Sequence, residues 1–97
     1  MFAIFDVKPE DKAKGDAVLQ DDLVSRQSIT VREGRALGFP DLGFVYRIEG
    51  ADPAIARADE LFKGIGAKLD AGKAKAVYDA IKSQEDDVAS GIGMIFG

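Results

Sequence analysis

The chain has 97 residues, with 13 Lys and Arg against 17 Asp and Glu, a net charge of -4, no cysteine and no histidine. That length supports one modest core, so residues 1–97 are read as a single domain. The composition excludes disulfides, thiolate metal sites and every Ser-His-Asp or Cys-His arrangement within one chain, and the acidic balance argues against a nonspecific polyanion binder.

Residues 2–7 are apolar on both faces apart from Asp6, which suits a short strand inside a sheet. The opening MFAIFDVKPED has no basic region before its apolar run and charge directly after it, so neither a signal peptide nor a membrane span is expected, and the protein is read as cytoplasmic. Pro9 closes the strand. Across residues 10–24, Ala13, Ala17, Leu19, Leu23 and Val24 share a broad helical face, which predicts a helix interrupted at Gly15 and regular only from Asp16. Residues 28–33 alternate, with Ile29 and Val31 inward and Thr30 and Arg32 outward, as in a half-buried strand. Gly34, Gly38, Pro40 and Asp41 mark a long hairpin loop, whose Leu37, Phe39 and Leu42 should fold back onto the body or meet a partner.

The most strongly patterned stretch is residues 43–69, read as strand, tight turn, helix and short strand. Phe44, Tyr46 and Ile48 alternate with Val45, Arg47 and Glu49. Asp52 followed by Pro53 predicts a helix start with the Asp52 carboxylate as cap. Ile55, Ala58, Leu61, Phe62 and Ile65 supply its apolar stripe, and Gly64 or Gly66 its left-handed end. Residues 67–69 suit no more than a minor strand. Asp70 can cap a further helix, with Ala71, Ala74, Val77, Tyr78, Ile81 and Val88 as its buried stripe and Ser90 and Gly91 as its stop. Residues 92–96 read as a final apolar strand, and the Gly-Ile-Gly at 64–66 and again at 91–93 as two glycine helix endings rather than a duplication.

The resulting order, β-α-β-β-α-(β)-α-β, predicts an α+β, ferredoxin-like (split βαβ) sandwich: an antiparallel sheet of four or five strands with two or three helices on one face. A single helical layer would leave the other sheet face bare, and the first and last strands carry few polar residues. The leading expectation is therefore a small non-catalytic interaction or regulatory module that forms a homodimer or binds a protein partner.

Four features of the sequence could carry a site. Gly72 and Lys73 stand at a helix start, where free amides and an ammonium suit an anion; a phosphate-cradling loop would need glycine at Ala67 and Ser or Thr at Ala74, so no nucleotide is expected. Ile4-Phe5 and Gly43-Phe44-Val45-Tyr46 resemble the two short motifs of RNA-recognition-motif domains, which implies aromatics stacking on bases. Leu42 stands where the longer motif begins with a basic residue, and Phe44 and Tyr46 share a face with Ile48, which makes them core; no nucleic acid is expected. The acidic runs Asp21-Asp22, Asp59-Glu60 and Glu85-Asp86-Asp87 point apart on helices and predict solvated faces, not a metal site. Arg47, with Thr30 and Arg32, would make the open sheet face cationic unless it pairs across strands with Glu33 or Glu49. Arg47, Gly72 and Lys73 are thus the candidate anion-binding residues, with no catalytic residue, metal or cofactor assigned. The rival expectation is a small enzyme or ligand-binding subunit in which Arg47, Tyr46, Lys73 or Tyr78 orients an anionic small molecule between subunits.

Overall fold

The computed structural model describes the backbone of residues 1–96 and the side chains of residues 1–85. Seven regular elements follow in order: β1 (Phe2–Val7), α1 (Lys12–Val18), β2 (Ser28–Glu33), β3 (Phe44–Glu49), α2 (Asp52–Phe62), β4 (Gly66–Lys68) and α3 (Ala71–Phe96). The strands form one antiparallel sheet in the order β2-β3-β1-β4. β1 and β3 are central, which explains why both are apolar on two sides.

Alternation along these two strands builds two cores. Ala3, Phe5 and Val7 of β1 with Tyr46 and Ile48 of β3 face α1 and α2, where they meet Val18, Ile55, Ala58 and Phe62. Phe5 stacks on Phe62 with ring centroids 4.3 Å apart. Ile4 and Val45 point the other way and meet Ala74, Val77 and Ile81 of α3, together with Leu37 from the β2–β3 loop. The expectation of every helix on one face is therefore corrected: α1 and α2 cover one side of the sheet and α3 the other. With it goes the bare face on which self-association had been argued.

The C-terminal expectation is also corrected. Residues 92–96 belong to α3 and not to a fifth strand, and Gly91 and Gly93 lie within that helix. Gly66–Lys68 is the fourth strand, paired with β1. A short apolar run between glycines has no period that separates strand from helix. The assignment of Val88 to the buried stripe lies outside the described side chains.

Three local details explain the remaining differences. The 10–24 segment is a 3-10 turn at Pro9–Asp11, then α1, then a second 3-10 turn at Val24–Arg26. Gly15 lies inside α1 and does not break it; it is the point of closest approach, since a Cβ there would stand 3.0 Å from the Tyr46 ring. α2 begins at Asp52 without its side chain as cap, because the Ala51 carbonyl accepts from Ala54 and Ile55. Gly64, at φ 78°, ends that segment as the left-handed residue.

Candidate functional site

The polar atoms buried beneath α3 converge on Arg47. Register places Arg47 opposite Thr30 on β2 and Ile4 on β1, in the middle of the sheet. Its side chain rises on the α3 side and is only 5% exposed. Nη2 donates to Thr30 Oγ1 at 2.7 Å and lies 3.4 Å from Glu85 Oε1 on α3. The guanidinium carbon is 5.3 Å from the centroid of the Tyr78 ring, which itself packs 4.4 Å from Phe2. The Tyr78 hydroxyl donates to the Glu49 carboxylate at 3.0 Å. That carboxylate, aided by partial burial, raises the Tyr78 pKa above the usual phenol value.

The compensation of this buried cation is incomplete. Arg47 Nε and Nη1 have no hydrogen-bond partner among the described residues. Glu85 is 38% exposed at its side chain and meets the same Nη2 that already serves Thr30. Removing an ion from water costs several kcal/mol, and good geometry with every donor satisfied is needed to offset it. Arg47 thus presents an unused part of a planar donor fork of the shape that matches carboxylates and phosphates.

The other candidate anion residues lie elsewhere. Gly72 is at the start of α3, where the Asp70 carboxylate accepts from the Lys73 amide at 2.9 Å and so uses one of the free helix donors. Lys73 Nζ is 3.2 Å from Asp41 Oδ2 and 4.9 Å from the centre of the Phe39 ring, both in the β2–β3 loop. Arg47 and Lys73 share no partner among the described residues. Tyr46 sits on the opposite sheet face, fully buried, with its hydroxyl donating to Asp16 Oδ1 at 2.6 Å. Burial first, and the Asp16 carboxylate second, hold its pKa well above the phenol value. Hydrogen bonds from Lys12 and then Tyr46 lower that of Asp16.

Sequence reasoning joined Arg47 to Thr30 correctly but gave it the wrong carboxylates. Glu33 pairs with Arg35 at 3.5 Å, Glu49 accepts from the Tyr78 hydroxyl, and Glu85 comes from a helix expected on the other side of the sheet. Arg32 is exposed and donates to the Val31 carbonyl at 2.9 Å. The acidic runs are engaged in ion pairs, Asp21 with Arg57, Asp22 with Arg26 and Asp59 with Lys68, and no acidic group of the size a metal needs occurs among the described residues. Asp86 and Asp87 lie outside the described side chains.

A second feature, the free edge of β2, escaped the sequence reading. The Gly34 amide donates to the Gly43 carbonyl, so with this register Ser28, Thr30 and Arg32 turn their backbone groups toward β3. Ile29, Val31 and Glu33 therefore turn theirs outward. Among the described residues, the Arg32 guanidinium on the Val31 carbonyl is the one side chain that caps this row. β4, at the other edge, is only three residues long. Comparison of the chain with protein-family models, with curated proteins and with solved structures finds no match to any of them.

Proposed function

We propose that the protein is a small non-catalytic interaction module that self-associates by pairing the β2 edge with the β2 edge of a second copy. The order of its first six elements, with β1 and β3 central and α1 and α2 on one side, favours reading the core as a ferredoxin-like split βαβ sandwich with α3 added over the second face. With helices packed on both faces of the sheet, the β2 edge is the surface we take to carry recognition. The single observation behind the reading is the outward row of Ile29, Val31 and Glu33 backbone groups on a six-residue strand without proline. Such a row is a template for another strand.

Self-pairing is favoured over a foreign strand by the sequence of β2 itself. An antiparallel two-fold arrangement centred on Thr30 sets Ile29 against Val31 of the second copy, Thr30 against Thr30 and Ser28 against Arg32. The apolar pair extends the α1/α2 core, since Ile29 and Val31 are both packed against it. No like charges meet in this register, and each cross-strand pair contributes roughly 0.2–1 kcal/mol. Arg32 acts as a gate, because its guanidinium must leave the Val31 carbonyl for the edge to pair.

The test is light scattering after size exclusion across a dilution series, on the native chain and on Val31→Pro. The Val31 amide points away from β3, so proline there blocks edge pairing without removing a ladder bond. A concentration-dependent dimer that Val31→Pro abolishes supports the reading. A native chain that stays monomeric at every concentration ends it.

A further inference from the structure

We propose that Arg47 is the receptor of a buried site for a small organic carboxylate, held closed in the free protein by the Glu85 side chain. The guanidinium is unevenly compensated. Arg47 is 5% exposed, yet Nε and Nη1 have no partner among the described residues. Nη2 carries both internal contacts, a short one to Thr30 and a 3.4 Å one to Glu85. Buried donors are ordinarily satisfied, so an unused pair on a permanently charged group is where an added acceptor would gain most.

Glu85 has the properties of a tethered stand-in. Its carboxylate approaches Arg47 at the outer limit of a hydrogen bond while its side chain remains 38% exposed. It can therefore swing into water at little cost, and an incoming carboxylate can take the same rim and add the bonds that Glu85 does not make. The class of anion follows from the surroundings. Glu49, held by Tyr78, and Glu85 itself both stand near the guanidinium, which opposes a doubly charged phosphate more than a singly charged carboxylate. The Tyr78 ring at 5.3 Å offers a flat apolar wall for the planar carboxylate head.

The site is independent of edge pairing, because Arg47 bonds within the chain and β2 pairs through outward backbone groups. Its test is a titration of the nitrogen-15-labelled 97-residue chain followed at the Arg47 Nε–H resonance, identified by its loss in Arg47→Lys. Sodium acetate is the probe, with sodium chloride at equal ionic strength and inorganic phosphate as comparisons. Acetate should shift the resonance saturably, and Glu85→Gln should tighten the apparent Kd by about tenfold, since it removes the competing anion and leaves the fold's contacts in place. Phosphate should bind less tightly than acetate. The proposal is overturned if acetate shifts the resonance no more than chloride does in Glu85→Gln, or if phosphate binds more tightly than acetate. Through-bond assignment of the native chain identifies the same resonance independently, so the Glu85→Gln comparison stands whether or not Arg47→Lys folds.

Discussion

Tyr46 ties the sheet to both helices of its face, to α2 through its ring and to α1 through its hydroxyl. The ring lies 5.5 Å from that of Phe62, and its hydroxyl reaches the carboxylate of Asp16, which is about half exposed with a side chain at 45%. Solvent screening at Asp16 reduces what a charged acceptor would otherwise give, so Tyr46→Phe should cost about 1 kcal/mol by urea denaturation near neutral pH. The sign of the pH dependence follows from the raised phenol. Below the ordinary tyrosine value of 10.0 the ring is neutral in both states and the bond contributes fully. Above it the unfolded chain ionises first, so stability falls as pH rises. Tyr46→Phe should flatten that alkaline loss, measured as the urea midpoint from pH 8 upward. The lowered Asp16 acts in the opposite sense, its contribution fading as pH falls below the ordinary carboxylate value of 3.8. Gly15 is the complementary position. Alanine would improve helix propensity, but its Cβ would meet a fully buried ring at 3.0 Å, and the crowding should win with a net loss of about 1–3 kcal/mol by the same measurement. The sequence marks Gly15 as an interruption of the helical pattern. What it could not show was the ring from thirty-one positions later that needs the space, because only the fold brings Tyr46 there.

α3 and the β2–β3 loop form the second core together, and each makes the other necessary. Leu37 is buried in the loop against the α3 cluster, Lys73 reaches Asp41, and the Gln84 amide donates to the Ala36 carbonyl at 2.6 Å. A loop in this position behaves as core, so Leu37→Ala should cost about 2 kcal/mol or more, well above a usual loop substitution. Ile81, 1% exposed, should cost about 2–5 kcal/mol when cut to alanine, by urea or thermal unfolding. A value near zero for Ile81→Ala would mean that α3 does not cover the sheet in solution. The apolar positions of this helix, Ala74, Val77 and Ile81, were legible as a stripe, and Asp70 as its cap. A stripe tells that a helix is buried on one side but not against which side of a sheet. Ile4 and Val45 hold the missing half of that information: the scarcity of polar residues in the first strand, which suggested an oligomer surface, reflects the seat of α3.

At the scale of the whole molecule, one sheet is closed above and below by helices and, among the described residues, left open along β2. Strand periodicity in β1, β2 and β3 and the α2 stripe were legible because each is long enough to show its period. Strand order was not, because it depends on which strands pair over tens of residues, and neither was the free edge that this order leaves. The candidate site was half legible for the same reason. Arg47 and Thr30 face one another across adjacent strands of a hairpin, a local relation, whereas Glu85 and Tyr78 arrive from a helix whose side of the sheet only the folded chain decides. The open edge, in turn, makes association through β2 the central functional claim. Backbone amide exchange of the native chain at low and at high protein concentration tests it most directly. Thr30 and Arg32, bonded to β3, should exchange slowly at both concentrations, while Ile29 and Val31 should exchange fast when dilute and become protected when concentrated. Ile29 and Val31 exchanging equally fast at both concentrations would contradict it.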